Sequence, residues 1–318
     1  MDRAVTVACV QAEPVILDRE RTLDKLEGLA AEAAGKGAEL VVFPETFVPV
    51  YPSSRWAKAF AGWQNDGAKE TFARIAQNSV AIGSPSEQRL AACARELGIW
   101  LVTGVNEVEA ERPGTIYNAL LYHAPDGSLA LHHRKLVPTN HERLIWGQGD
   151  GRGLNAVETG FGRVGGLICW ENYMPLARFA LYESGVEIYV ASTADDADAW
   201  QSTLVHIARE SRSYVVSPSA FQRASSYPDD FSLASELEGV GILGRGGSAI
   251  LAPDGSYLAG PLYDEEGILY AELDPSRLLA ERQRFDPVGH YHRPDVLRLG
   301  VSPTARAADV TPSTRPSA

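Results

Sequence analysis

Cys169 closes the run Arg163-Val-Gly-Gly-Leu-Ile-Cys169, and the polar, aromatic stretch Trp170-Glu171-Asn172 leads away from it. A thiol where a buried strand meets a turn is held rigidly yet can face a pocket, which suits a nucleophile. A free cysteine is also a small apolar residue at home in a core, and the local sequence leaves both readings open. A nucleophilic thiol needs a proton acceptor, because a pKa near ~8.5 leaves it protonated at neutral pH. Glu45 follows the apolar run Glu39-Leu-Val-Val-Phe43 across Pro44, so it too stands at the carboxyl end of a strand. Ligand sites in α/β sheets gather at those ends. Partly desolvated there, Glu45 could act as a general base with a raised pKa. A helix N-cap or a loop carboxylate is the alternative. Lys135 ends the run His132-His133-Arg134-Lys135, where a fixed ammonium could stabilise developing negative charge. Most lysines at strand ends are solvated instead. Glu142 could hold that ammonium in place, or could pair with Arg143 or Arg134 at the surface for little gain.

Other residues with chemical potential point elsewhere. The histidines are His123, His132, His133, His141, His206, His290 and His292. None lies in a protease-like run, and adjacent His132 and His133 on one strand face opposite sides. The Cys and His spacings fit no zinc site. The glycine-rich segment Trp146-Gly-Gln-Gly-Asp-Gly-Arg-Gly153 lacks the strand, helix and Lys-Ser/Thr ending of a phosphate loop. It reads as a tight loop near the site, and nucleotide binding is rejected.

The elements that must position these residues alternate. Residues 4–10 read as a strand, 18–36 as a helix stopped by Gly35 and Gly37, and 39–43 as a buried strand. An aromatic and Pro-rich loop over 46–63 follows, then a helix over 86–97 and a strand over 99–105. Strands over 116–124 and 128–134 form a hairpin, and 163–168 leads to Cys169. A helix over 175–184, strand 187–191, helix 199–212 and strand 214–220 precede a second hairpin over 247–252 and 257–259. Such alternation marks an α/β fold. Ala-Pro-Asp-Gly-Ser occurs at both 124–128 and 252–256, each time between apolar strands, which hints at two pseudo-symmetric halves. The 192–199 loop, like 46–63, follows a strand and is expected to shape a pocket. Residues 1–300 are read as one domain. From 301 to 318 Ser, Thr, Pro and Ala dominate, and a disordered tail is expected.

The 318-residue chain holds 29 Lys plus Arg against 41 Asp plus Glu, a net charge of −12. That balance repels phosphate backbones, so nucleic acid is not the expected partner. Three widely spaced cysteines, Cys9, Cys93 and Cys169, suggest no disulfide framework. No apolar run is long enough to span a membrane, and no secretory leader is apparent, so a cytoplasmic setting is expected.

Taken together, a glutamate, a lysine and a cysteine in that order, each after its own strand, resemble the nitrilase superfamily of carbon–nitrogen hydrolases. The motifs are Phe43-Pro-Glu45-Thr-Phe47, Arg134-Lys135-Leu-Val-Pro-Thr139 and Gly165-Gly-Leu-Ile-Cys169-Trp-Glu-Asn172. Trp170-Glu171-Asn172-Tyr-Met-Pro175, Arg143–Gly151 and Phe285–Tyr291 are similar to the true nitrilase branch. The resemblance implies a four-layer α–β–β–α sandwich of two pseudo-symmetric halves, no metal or other cofactor, and homo-oligomers built from dimers, often spiral. It implies Cys169 as nucleophile, Glu45 as base, Lys135 as charge stabiliser and Glu142 as the additional glutamate that orients Lys135 or substrate. Trp170, Tyr51 and Thr193 are the expected substrate contacts. Trp56, Trp63, Trp146 and Tyr173 are further candidates for an aromatic-accepting pocket, although aromatics more often fill cores. The implied reaction converts a small-molecule nitrile to an acid and ammonia. An aliphatic amidase, a cyanide-hydrolysing enzyme and a catalytically silent binding module are the alternatives.

Overall fold

The computed structural model describes residues 1–303. The first half of the chain runs β1 (Val5–Gln11), α1 (Arg19–Gly35), β2 (Leu40–Val42), α2 (Ser54–Ala57), α3 (Asp66–Asn78), α4 (Pro85–Leu97), β3 (Trp100–Glu109), β4 (Arg112–His123) and β5 (Leu129–Arg134). The second half runs β6 (Val157–Glu158), β7 (Arg163–Gly166), α5 (Pro175–Glu183), β8 (Ile188–Val190), α6 (Asp198–Ser211), β9 (Tyr214–Ser217), β10 (Phe221–Arg223), β11 (Ile242–Leu251), β12 (Tyr257–Tyr263), β13 (Gly267–Leu273) and α7 (Pro275–Arg282).

In one sheet β1, β2 and β3 pair in parallel, and β4 and β5 continue it antiparallel. In the other, β7, β8 and β9 pair in parallel, and β11 and β12 continue it antiparallel. The two series share one order, which is the two-half organisation that the repeated turn hinted at. The turns match in detail: Gly127 and Gly255 sit at φ 85° and 87°, and each donates its N–H to the carbonyl of Ala124 or Ala252 at 2.8 Å. Only glycine adopts this left-handed conformation without cost. β13 then crosses back and pairs antiparallel with β1, tying the halves together.

The strands are apolar on both faces because both faces are covered. Val7 and Cys9 of β1 and Leu40 and Val42 of β2 meet Val164, Ile188, Val190 and Val216 between the sheets. Alternate residues Ala8, Val10 and Val41 pack on Leu23, Leu26 and Leu90 of α1 and α4. On the far side, Tyr189 and Val215 pack on Leu181, Leu204 and Ile207 of α5 and α6. The layers are therefore α–β–β–α. The helices start and stop where side chains dictate. Asp18 caps α1 by accepting the Arg21 N–H, and Gly37 follows its end at φ 88°. Ser84 caps α4 ahead of Pro85, and Gly98 ends it in the left-handed conformation.

Several readings need correction, and β10 and α7 are further elements that were not expected. The loop expected over 46–63 contains α2 and a 3-10 turn, Lys58–Ala61. α3 was not expected, because among its 13 residues only Ala68, Thr71 and Ile75 are buried and the apolar stripe is thin. β13 was missed because its residues are mostly half-buried and carry no clean alternation. β11 begins at Ile242, ahead of the expected 247, through a glycine-rich and partly exposed stretch. The tail expected to begin at residue 301 lies outside the described residues from 304 onward. Among the described residues no helix is long and apolar enough to cross a membrane.

Candidate active site

Glu45, Lys135 and Cys169 each leave a strand end and converge in the gap between the two sheets, and Glu142 joins them. All four are buried. Lys135 Nζ donates to Glu45 Oε1 at 2.9 Å and to Glu142 Oε2 at 2.7 Å. The ion-pair partner of Glu142 is thus Lys135, not Arg143 or Arg134: Arg134 turns to the opposite face and pairs with Glu107. Glu45 Oε1 also accepts Asn118 Nδ2 at 2.7 Å, while Oε2 is buried with no hydrogen-bond partner. Glu142 is held from three sides, by Lys135, by the Thr139 N–H at 2.6 Å and by the Tyr51 hydroxyl at 2.8 Å. Cys169 Sγ accepts the Thr193 hydroxyl at 3.1 Å.

The backbone at each of these positions is unusual. Thr46, Asn140 and Cys169 have φ of 44°, 43° and 52°, in the left-handed region that side chains disfavour. Such strain collects at functional sites and persists only where neighbours enforce it. Around Cys169 the enforcement is visible. Its N–H donates to Ser192 O at 2.8 Å, and its carbonyl accepts Asn172 Nδ2 at 2.9 Å. The Glu45 loop lies so close to β3 that a Cβ on Gly104 would stand 2.0 Å from Pro44 O. The halves also explain Thr193. It follows β8 as Glu45 follows β2, and the pseudo-symmetry brings both toward the thiol from opposite sheets.

The glycine-rich segment is a tight loop laid on β5. A Cβ on Gly149 would meet Arg134 O at 2.2 Å and Lys135 O at 2.8 Å, both immobile backbone atoms. Gly149→Ala is therefore expected to push the loop or Lys135 out of place. A loss of about 1–3 kcal/mol in stability and a drop in kcat should appear in thermal melts and steady-state rates; unchanged values would refute this close-approach account.

Electrostatics set the resting protonation. Burial raises the pKa of the Cys169 thiol well above the cysteine range, and the Glu45 and Glu142 charges add to that while Lys135 opposes it. Cys169 therefore rests as a thiol. Burial also raises the Glu45 pKa, against the pull of Lys135 and Asn118. Burial disfavours the Lys135 cation, but the neighbouring carboxylates outweigh it and hold the ammonium charged. Tyr51 stays a neutral donor, its pKa raised by burial and by Glu142.

A cavity of about 370 Å³ opens onto Cys169 and Glu142, walled by Tyr51, Trp170, His141 and Asp195. Residues of both expected pocket loops, Ser53 and Ser54 from one and Asp195 and Asp196 from the other, line it. Of the three expected substrate contacts, Tyr51 and Trp170 line this cavity, and Thr193 touches the thiol. Of the other aromatic candidates, Trp56 and Trp146 fill a satellite core, Trp63 is 94% exposed, and Tyr173 bonds to Thr203 outside the cavity. Sequence reading missed Asn118, although a polar residue between Ile116 and Leu120 on an apolar strand was the available signal. It also missed the buried pair of His133 with Glu171. His132 and His133 do face opposite sides, toward Glu107 and Glu171.

A buried thiol beside a carboxylate with a raised pKa and a charged ammonium is an arrangement suited to thiol chemistry. The carbon–nitrogen hydrolase family model matches residues 6–283, and the chain belongs to that family. It is 42% identical to an aliphatic nitrilase of Sinorhizobium fredii over 304 residues, covering 96% of this chain and 97% of that protein. It is also 42% identical to a bifunctional nitrilase/nitrile hydratase of Nicotiana tabacum, over 93% of this chain and 86% of that one. A crystal structure of a carbon–nitrogen hydrolase from Helicobacter pylori superposes with a TM-score of 0.71 at 21% identity, over 92% of this chain and 96% of the other.

Proposed function

We propose that the protein hydrolyses organic nitriles to carboxylic acids and ammonia through a covalent intermediate on Cys169. The observation that supports this best is the buried Lys135 ammonium shared between Glu45 and Glu142 beside the thiol. A nitrile carbon is electrophilic but uncharged, so a soft sulfur nucleophile suits it. Glu45 takes the Cys169 proton as sulfur attacks, and that proton passes to nitrogen, giving a thioimidate. Lys135 and the backbone N–H of Trp170, at the start of the 3-10 turn where N–H groups lack intrahelical acceptors, offset the negative charge developing on nitrogen. Glu45 then activates water. Addition gives a tetrahedral carbon bearing hydroxyl, amine and sulfur. Loss of ammonia leaves a thioester, and a second water releases the acid and restores the thiol. Expulsion of the thiol from the tetrahedral species instead gives an amide, and a relative described as both nitrilase and nitrile hydratase supports expecting some. Glu142 and Tyr51 fix Lys135, Thr193 orients the sulfur, and Trp170 and Tyr51 bound the substrate.

An amidase would use the same groups. The nitrile reading rests on relatives at 41–42% identity over nearly the full length that bear the nitrilase name. The test is ammonia release from aliphatic, aromatic and arylacetonitrile panels beside the matching amides, with Cys169→Ala as control. Faster release from the amides would replace the nitrile reading by the amidase one. We further propose a homo-oligomeric assembly in a reducing, cytoplasmic setting. Support comes from apolar side chains exposed around α5, such as Tyr173 and Leu176, and from three free cysteines.

The base role has a pH consequence. Only ionised Glu45 accepts the thiol proton, so activity is lost as pH falls through its raised pKa. The acid limb of kcat/KM should lie above the ordinary glutamate value. Asn118 donates to Glu45 and lowers that pKa, so Asn118→Leu should move the acid limb to higher pH. A limb that stays put, or moves to lower pH, would remove Glu45 as the titrating base.

A further inference from the structure

The reaction scheme leaves Glu171 of the Trp170-Glu171-Asn172 motif without a task, yet Glu171 is buried on the turn that Cys169 opens. Its Oε2 accepts the Ile168 N–H at 2.9 Å and His133 Nε2–H at 2.8 Å, and its Oε1 accepts the Leu136 N–H at 2.8 Å. Ile168 directly precedes the thiol residue, and Leu136 directly follows Lys135. His133 stands two residues before Lys135 on the same face of β5. One carboxylate therefore grips both chain segments that present the reacting sulfur and the ammonium. His133 Nδ1 is buried without a partner, which assigns the ring proton to Nε2, facing Glu171. Burial opposes ionisation of Glu171, but His133 and the two backbone N–H groups outweigh it and hold the carboxyl below the ordinary glutamate value. Asn172 completes the clamp by donating to the carbonyls of Leu167 and Cys169.

We infer that Glu171, backed by His133, is a positioning residue that fixes the separation of Cys169 from Lys135, an inference that rests on the proposed thiol hydrolysis. The chemistry calls for a carboxylate in particular. Three N–H donors converge on it, so glutamine would turn an NH₂ toward at least one of them. Aspartate falls one methylene short of spanning the two segments. If the segments relax apart, Lys135 supports the thioimidate stage less well, and the looser sulfur is expelled more readily from the tetrahedral species. Rate should fall and the amide share of product should rise together.

The test compares Glu171→Gln and His133→Gln with the parent, reading kcat, KM, amide-to-acid ratio and the pH profile of Cys169 alkylation by iodoacetamide. Glu171→Gln should lower kcat about 100-fold, leave KM within about threefold and raise the amide share several-fold. Alkylation should shift to higher pH, because Lys135 favours the thiolate. His133→Gln should show the same pattern at about 10-fold in kcat. Parent-like amide share and alkylation profile in both variants would overturn the inference. So would activity that falls only in proportion to folded protein. If Glu171→Gln does not fold, His133→Gln decides by the same readouts. Alkylation needs no nitrile, so a parent protein inert toward nitriles sinks the proposed reaction while this arm still judges the clamp.

Discussion

Cys169→Ala is expected to abolish turnover, lowering kcat/KM by about 10⁴-fold or more, in a protein that still folds. In the proposed scheme both covalent intermediates are carried on this sulfur, and its neighbours Glu45, Glu142 and Thr193 offer only oxygen groups, with no thiol to take its place. The fold should tolerate the change because alanine is smaller, apolar and fits a site only 3% exposed. One hydrogen bond, from Thr193, is lost, at a stability cost of about 1 kcal/mol. Ammonia release and a thermal melt on the same sample check both halves of the expectation. Residual activity within tenfold of the parent would remove Cys169 from the mechanism.

Lys135→Met should be nearly as inactive and far less stable. Losing one charge-stabilising donor typically costs about 10²–10³ in rate, and here the same group also orders Glu45 and Glu142. Without the ammonium, two buried carboxylates face one another uncompensated. Breaking a buried pair in this way costs about 3–5 kcal/mol, or the carboxylates take up protons and the base is lost. The double variant Lys135→Met/Glu142→Gln separates the two effects. It removes one stranded charge, so much of the stability should return while activity does not. Recovery of activity in the double variant would show that Lys135 only neutralises Glu142.

That Glu45, Lys135 and Cys169 come together was legible because each follows a short apolar strand, and strand ends in layered α/β folds converge. The core helices α1 and α4 were legible from spacing and caps. What was not legible depended on tertiary contact. α3 hides its thin buried stripe among charges, and β13 pairs with β1 across most of the chain, a partnership that no local pattern encodes. Asn118 and Glu171 look ordinary in sequence; only the convergence of donors and acceptors in the gap between the sheets gives them work. The aromatic candidates divided between core, surface and cavity for the same reason, since ring type alone does not tell which face a residue will meet. Thr193 was singled out in the sequence as a substrate contact, and its contact with the thiol follows from the pseudo-symmetry of the two halves.

The central claim is that nitrile carbon becomes bonded to Cys169 sulfur. Rapid acid quench during turnover, followed by intact-mass and peptide mass spectrometry, tests it directly. The prediction is an adduct on the Cys169 peptide, heavier by the whole nitrile for a thioimidate or by the acyl group in place of hydrogen for a thioester. It should vanish in Cys169→Ala. Sustained acid and ammonia formation from the nitrile with no adduct at Cys169, or with undiminished turnover in Cys169→Ala, would contradict the account.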